Sequence, residues 1–231
     1  MGNKYQISSC TISSVHCRCF EKLNPAESKL VEDNSVFIHY KKGEIICKQG
    51  GFVSHVMYVE KGLTKVYLDS GNYSLVLKII PSGNLLGLSS ISEVNNTFNY
   101  SAMAYIDTEI RQIDISVFRQ LLQQNADFAR EVIDILSANS VQVYGRFFCL
   151  THKQAYGRLA DILLCLSDRI FKQAEFDLPL SRKDLAELSG MSPETVIRML
   201  KKFNEEGLIN MDGKNFKIVD YERLQRISET G

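Results

Sequence analysis

The sequence predicts an α+β chain: a glycine-punctuated β-barrel or roll, then a long amphipathic helix, then two short helices followed by a hairpin. Three observations predict it. Between Phe37 and Ile115, short apolar stretches are separated by Gly43, Gly50, Gly51, Gly62, Gly71, Gly83 and Gly87, which is the rhythm of strands and turns. From Ser116 onward, apolar residues recur at intervals of three and four. After Pro179, Ser181 and Ser192 each open a short helical pattern in the manner of capping residues.

Composition narrows the function classes. Of 231 residues, 45% are hydrophobic and 23% charged, which excludes collagen-like, mucin-like and wholly disordered chains. Lys plus Arg and Asp plus Glu both total 27, so no net field advertises a nucleic acid or a membrane. No apolar run approaches the roughly 18 to 20 residues that cross a bilayer, and MGNKYQISSC lacks the apolar core of a secretory signal. A cytoplasmic location without a membrane partner is expected. Six cysteines (Cys10, Cys17, Cys19, Cys47, Cys149, Cys165) are scattered over a chain long enough to need no disulfide framework, so most are expected as plain thiols.

Within the first region, Glu44–Cys47, Val56–Glu60, Thr64–Leu68, Ser74–Ile80 and Tyr100–Tyr105 are rich in Val, Ile and Tyr and are expected strands. Asp69-Ser70-Gly71-Asn72 reads as a hairpin turn, since Gly and Asn accept positive φ. Val117, Leu121 and Leu122 then mark a helix, and a longer one starts near Ala126. Val132, Leu136, Asn139, Val143, Phe147 and Leu150 align along one stripe of it, and a single polar Asn in such a stripe resembles a coiled-coil seam. The alternative is a helix packed on its own domain. A further helix, Lys153 to Phe171, carries Leu159, Ile162, Leu163 and Leu166. The chain divides into a cysteine-bearing segment at 1–22, a β-roll at 23–125, a long helix at 126–150 that is the candidate for dimerisation, and the C-terminal domain at 151–231.

The C-terminal domain carries most information. Ser181 with Asp184 three residues on approximates a capping box, Ser189-Gly190-Met191 makes a tight turn, and Ser192-Pro193-Glu194 starts a second helix. Two helices joined by such a turn fit a helix-turn-helix. On the second helix Val196, Met199, Leu200 and Phe203 form one face, and Glu194, Ile197, Arg198 and Lys201 the opposite one. Arg can donate twice to guanine, and Glu can accept from cytosine, so Glu194 and Arg198 can read one G·C pair. An intrahelical ion pair, worth only about 0.3–0.5 kcal/mol, is the plainer alternative from spacing alone. Leu208–Met211 and Phe216–Val219 around Asp212-Gly213-Lys214-Asn215 complete a winged helix-turn-helix, with Lys214 and Lys217 placed to touch phosphate. Seven basic residues face six acids between Pro179 and Lys217, so electrostatics adds little.

At this point the chain resembles transcription regulators of the CRP/FNR family, the cyclic-AMP receptor protein and the oxygen-sensing FNR regulators. LSRKDLAELSGMSPETVIRMLKKFNEEGLI, Leu180 to Ile209, is similar to the family's helix, glycine turn and E-T-x-x-R recognition helix. KKGEIICKQG and YVEKGLTKVY resemble the family's β-roll strands, and AYGRLADILLCLSDRI the segment before its DNA-binding domain. The resemblance implies a sensor roll, a dimerisation helix and a winged helix-turn-helix, working as a homodimer on a palindromic operator with RNA polymerase as a further partner. It also implies base contacts from Glu194, Ile197 and Arg198, and phosphate contacts from Ser181, Arg182, Ser192, Thr195, Lys201, Lys202, Lys214 and Lys217.

Departures from the family pattern are equally informative. Cyclic-AMP-binding members carry a Glu after the phosphate-segment glycine and an Arg-Ser pair further on, because a buried cyclic phosphate requires a fixed cation. The corresponding effector positions here are Gly87, Leu88 and Ser89, then Tyr100 and Ser101, so Tyr100 stands where the arginine would be. Cyclic AMP is therefore not the expected effector. FNR-type members hold an iron–sulfur cluster on four cysteines. Cys10, Cys17 and Cys19 share that N-terminal location with a different spacing, and Cys47 would be the fourth ligand, with His16 as a substitute. A reversible thiol pair or inert cysteines are the alternatives. For haem, as in gas-sensing members, His39, His55, Met57 and Met103 are the conceivable axial ligands. Pro193 replaces an arginine of the cyclic-AMP-type reading head, so a half-site that keeps the G·C pair but differs at flanking bases is expected. A cupin-like enzyme would need a His-x-His pair, which neither His39 nor His55 provides, and no phosphate loop or nucleophile elbow occurs.

Overall fold

The computed structural model describes residues 10, 12–13, 16–71 and 74–231. By their contacts these residues form two compact units. One comprises Ser13–Ser74 and Lys78–Ser140; the other comprises Cys10, Ile12, Leu75–Leu77 and Val141–Gly231.

The first unit opens with a 3-10 turn, Cys19–Lys22, and a helix α1, Pro25–Asp33. Asn24 accepts from the Glu27 amide and Glu27 accepts from the Asn24 amide, both at 2.9 Å, so a reciprocal cap starts α1. Eight strands follow: β1 Ser35–Tyr40, β2 Ile45–Cys47, β3 His55–Lys61, β4 Leu63–Asp69, β5 Ser74–Pro81, β6 Leu85–Leu86, β7 Ser101–Ala104 and β8 Thr108–Asp114. They pair as two four-stranded sheets, β1-β8-β3-β6 and β2-β7-β4-β5. Val56, Val59, Ile110 and Ile113 of one sheet and Val66, Ile79, Ala102 and Ala104 of the other are at most 1% exposed. Gly62, at φ 104°, turns β3 into β4; a Cβ there would lie 2.4 Å from Thr108 Oγ1, so no other residue fits. The expected turn at 69–72 falls partly on residues 72 and 73, which are outside the described residues, but Gly71 donates to Asp69 Oδ1 at 2.9 Å as such a turn would.

Helix α2, Ile115–Gln124, is capped by Asp114, and the 27-residue helix α3, Ala126–His152, starts where Asn125 Oδ1 accepts from Phe128 N. The second unit contains the C-terminal part of α3, then α4 Ala155–Cys165, a π-helical turn Leu166–Phe171, β9 Glu175–Asp177, α5 Arg182–Ser189, α6 Pro193–Glu205, β10 Ile209–Asp212, β11 Asn215–Ile218 and α7 Tyr221–Thr230. β10, β11 and β9 form one antiparallel sheet, on which Phe176 stacks against Phe171 and meets Phe216 at a tilt. Where α4 meets α7, a Cβ on Gly157 would lie 2.6 Å from the Gly231 carbonyl oxygen, so the glycine permits the close approach.

Cys17, Cys19, Cys47 and Cys149 are free thiols. Cys10 and Cys165 depart from that expectation: they are joined as a disulfide, with Cα atoms 5.8 Å apart. Both come together in the second unit although 155 positions separate them, a proximity no local pattern reveals.

Candidate nucleic-acid interface

The helix-turn-helix is built from its caps. Ser181 Oγ accepts from Asp184 N while Asp184 Oδ2 accepts from Ser181 N at 2.8 Å, the full capping box that starts α5. Gly190, at φ 63°, ends α5 in the left-handed region, which costs a side-chain-bearing residue roughly 1–2 kcal/mol. Arg158 of α4 donates from Nε to the Ser189 carbonyl and from Nη1 to that of Lys153, both at 2.8 Å, so α4 fixes the turn. Ser192 Oγ then accepts from Thr195 N at 3.2 Å, with Pro193 at the first helical position, and α6 begins.

α6 is divided by face. Val196, Leu200 and Phe203 are buried and Met199 is half-buried. Phe203 packs 4.4 Å from Tyr156, whose hydroxyl donates to Glu206 at 3.1 Å. Glu194, Ile197, Arg198 and Lys201 are exposed, Ile197 at 53%. The amide of Glu194 itself and the Ser192 hydroxyl hold the Glu194 carboxyl below the usual carboxylate range, so it is an ionised acceptor. The ion pairs of α6 lie further along, Lys201 to Glu205 and Lys202 to Glu206; among the described residues none joins Glu194 to Arg198. The helix therefore presents a carboxylate, an apolar side chain and a guanidinium one turn apart, which is the donor and acceptor set that base edges require.

The expected phosphate contacts are spread around this face. Ser181 and Ser192 are engaged as caps, and Thr195 Oγ1 lies 3.1 Å from Ser192 Oγ. Arg182 lies against Met211 Sδ, and Lys217 pairs with Glu175 at 2.9 Å, which lowers the carboxyl of Glu175. Lys214 is exposed beside the wing turn at Gly213. Exposed pairs such as Lys201–Glu205 and Lys217–Glu175 are screened by water and contribute little, so phosphate can replace the acid at little cost. The partners Glu175 and Tyr156 escape the sequence reading, because β9 is only three residues long and Tyr156 acts across two helices.

The stripe expected as a dimer seam is divided between buried and exposed positions. Val132 is 1% exposed, and half-buried Asn139 accepts through Oδ1 from Lys78 Nζ of β5 at 2.9 Å, a partner within the chain itself. Leu136 and Leu150 are half-buried. Phe147 and Val143 remain exposed, joined by Ile133, Val141, Tyr144 and Phe148. Ile133, Ser137, Ser140, Tyr144, Phe147 and Thr151 are all exposed and step by four and three, so an exposed face lies beside the expected stripe.

In the roll, the expected effector positions do meet. Gly87, at φ 93°, donates its amide to the Tyr100 hydroxyl at 2.8 Å, and Ser89 makes a further hydrogen bond with that phenol. Burial raises the Tyr100 pKa, which keeps it neutral. Ser101 Oγ accepts from Gln49 N at 3.0 Å, and Leu88 is 4% exposed.

Comparison with known proteins decides what these two parts are. Residues 37–125 match the model of the cyclic nucleotide-binding domain, and 157–227 match that of the Crp-like helix-turn-helix domain. The transcriptional activator protein anr of Pseudomonas aeruginosa is 30% identical over 186 residues, covering 78% of this chain and 75% of that protein. The chain belongs to the CRP/FNR family. The anaerobic regulatory protein of Haemophilus influenzae is 23% identical over 99% of this chain and 93% of its own length. The solved structure of FixK2 from Bradyrhizobium japonicum shares the fold, with a TM-score of 0.77 at 23% identity over 85% of this chain and 98% of that one. CRP/FNR proteins are DNA-binding transcription regulators, not enzymes, and this chain is one of them. Among the described residues no helix is long and apolar enough to cross a membrane.

The effectors of CRP/FNR members can be tested against the residues present. A cyclic nucleotide does not fit: Tyr100 already takes the Gly87 amide, and the cradle has no arginine to balance a buried phosphate. A cluster on Cys10, Cys17, Cys19 and Cys47 does not fit either. Cys10 is bonded to Cys165, Cys47 lies in β2, and no group of three or more potential ligands gathers among the described residues. Cys17 and Cys19 do meet, through a thiol hydrogen bond that lowers the Cys17 pKa and raises that of buried Cys19. The conceivable haem ligands are dispersed: His39 on β1 is exposed, His55 holds Ser54 at 2.8 Å, Met57 is 2% exposed and Met103 lies in the other sheet.

Proposed function

We propose that this regulator binds, as a homodimer, a palindromic operator read by Glu194, Ile197 and Arg198, and that it does so without a cyclic nucleotide. The observation that carries the reading is the face of α6, where an ionised Glu194 and Arg198 stand exposed one turn apart without pairing to each other. In the major groove Arg198 donates to guanine O6 and N7, Glu194 accepts from the N4 amine of the paired cytosine, and Ile197 meets a thymine methyl. Lys201, Lys202, Lys214 and Lys217, with the capped starts of α5 and α6, hold the phosphates on either side. Half-sites then lie about one helical turn, ~34–36 Å, apart.

Dimerisation is assigned to the exposed seam of α3, where Ile133, Tyr144 and Phe147 supply the apolar area. Membership of the family supports a cytoplasmic setting and contact with RNA polymerase. Selection of operators from a random library tests the whole reading. A palindrome with a fixed G·C pair per half-site, bound equally with and without cyclic AMP, is expected. Failure to enrich any such pair would overturn the assignment of α6. Sedimentation of Phe147→Glu, expected to shift the protein to monomer, tests the seam.

A further inference from the structure

Residues Cys10 and Ile12 are held in the DNA-binding unit by one disulfide and two hydrogen bonds. Cys10 is disulfide-linked to Cys165 at the end of α4. The Ile12 carbonyl accepts from Arg169 Nη1 at 2.9 Å, and the Cys10 carbonyl accepts from Gln142 Nε2 of α3 at 3.3 Å. Ile12 is fully buried, and Cys10 and Cys165 are 5% and 8% exposed. Cys165 is the last residue of α4, the helix that also positions the helix-turn-helix through Arg158 at the Ser189 carbonyl and Tyr156 at Phe203. The neutral alternatives for Cys10, a cluster ligand or an idle thiol, do not account for a partner 155 positions away.

We propose that Cys10 and Cys165 are a reversible oxidation site, and that closing the bond raises affinity for operator DNA. The reaction takes a hydroperoxide as oxidant. One thiolate attacks a peroxide oxygen, the O–O bond breaks, and hydroxide leaves with a sulfenic acid formed on that sulfur. The second thiol attacks this sulfur and expels water, so that two thiols and one hydrogen peroxide become one disulfide and two waters. A dithiol reductant reverses it by exchange. Closing so long a loop removes freedom from the open chain, and a fixed α4 carries the recognition helix with less ordering left to be done on DNA. The second half of the proposal rests on the DNA-binding reading above; the first does not.

The test uses the full chain, reduced with dithiothreitol or oxidised with hydrogen peroxide, and three readouts. Peptide mapping under non-reducing conditions is expected to recover the Cys10–Cys165 link in the oxidised sample only. Oxidation is expected to raise Tm by about 5 °C or more. Affinity for the selected operator is expected to rise about fivefold or more on oxidation, the lower end of ordinary coupling between two sites. Cys10→Ser and Cys165→Ser, separately, are expected to keep the reduced affinity and abolish both responses to peroxide. A Cys17–Cys19 link in place of Cys10–Cys165, or a correct link with unchanged affinity, overturns the proposal. If neither form selects any operator, the DNA-binding reading falls, while the peptide map and Tm still decide whether the oxidation site exists.

Discussion

The cradle of the roll and the start of α6 are made of the same materials, yet one is closed on itself and the other is open. At Gly87 a backbone amide at the start of a helical turn faces nearby hydroxyls, and Tyr100 and Gln49 satisfy the set from within the chain. At Ser192 the hydroxyls of Ser192 and Thr195 complete the helix start, and Glu194, Ile197 and Arg198 are left facing water. The difference shows how one side chain satisfies a backbone amide from within the chain. A buried phosphate needs a cation; a phenol in its place supplies an acceptor for the amide and introduces no charge. A reading head works by the opposite rule, keeping its strong donors and acceptors unspent until a base edge arrives.

The most damaging change to the open region is beneath it. Phe203→Ala removes the ring on which α6 rests against Tyr156 and is expected to cost about 3–5 kcal/mol of stability, measured by urea unfolding. On the exposed face, Arg198→Ala should cost about 1–3 kcal/mol of operator affinity and relax the preference for guanine while leaving stability unchanged. Equal affinity of wild type for operator and scrambled DNA would remove the contrast between the regions altogether.

In the closed region, Tyr100→Phe deletes the acceptor of the Gly87 amide and should destabilise the fold by about 1–2 kcal/mol without creating cyclic-AMP binding. Calorimetry with and without the nucleotide checks both parts. A smaller, pH-dependent effect belongs to Lys78, whose burial pushes its ammonium down to about 8 from an ordinary 10.5. Between those values the unfolded chain retains a proton that the folded chain has lost, so stability contributed by this group rises with pH across that window. Lys78→Met should flatten the rise, seen as a difference from wild type between pH 8 and 10.5.

Local chemistry accounts for what was legible in the sequence. Ser181 with Asp184, Ser192 with Pro193, and Gly190 specify two helices and the turn between them, and period-3.6 spacing assigns Val196 and Phe203 to the inside of α6. The cap at Asn24 and Glu27 was equally readable and marks α1, which the strand-and-turn texture alone passes over. Tertiary partners were not readable. Asn139 has the position of a seam residue, but Lys78, 61 positions earlier, decides its role. Cys10 shares the place of a cluster ligand, and only the fold brings it to Cys165. Apolar residues occupy two adjacent faces of α3, Val132 and Ile135 buried and Ile133, Tyr144 and Phe147 exposed, and spacing alone does not separate the two.

The smallest expected effect separates positioning from reading. Lys201 follows Arg198 on the exposed face by one turn, and its ammonium is 3.6 Å from Glu205 with both groups well exposed. Such a pair contributes little to folding, so Lys201→Ala should leave stability within about 0.5 kcal/mol of wild type. On DNA the same ammonium is expected to exchange Glu205 for a phosphate and to release about one counterion. Its removal should therefore weaken binding by a similar factor on every sequence and reduce the slope of log affinity against log salt by about 1. An Arg198 variant should change the ranking of sequences, whereas a Lys201 variant should shift them all together. A Lys201→Ala protein that loses discrimination at the guanine, with an unchanged salt slope, would move the boundary of the reading head one turn along α6.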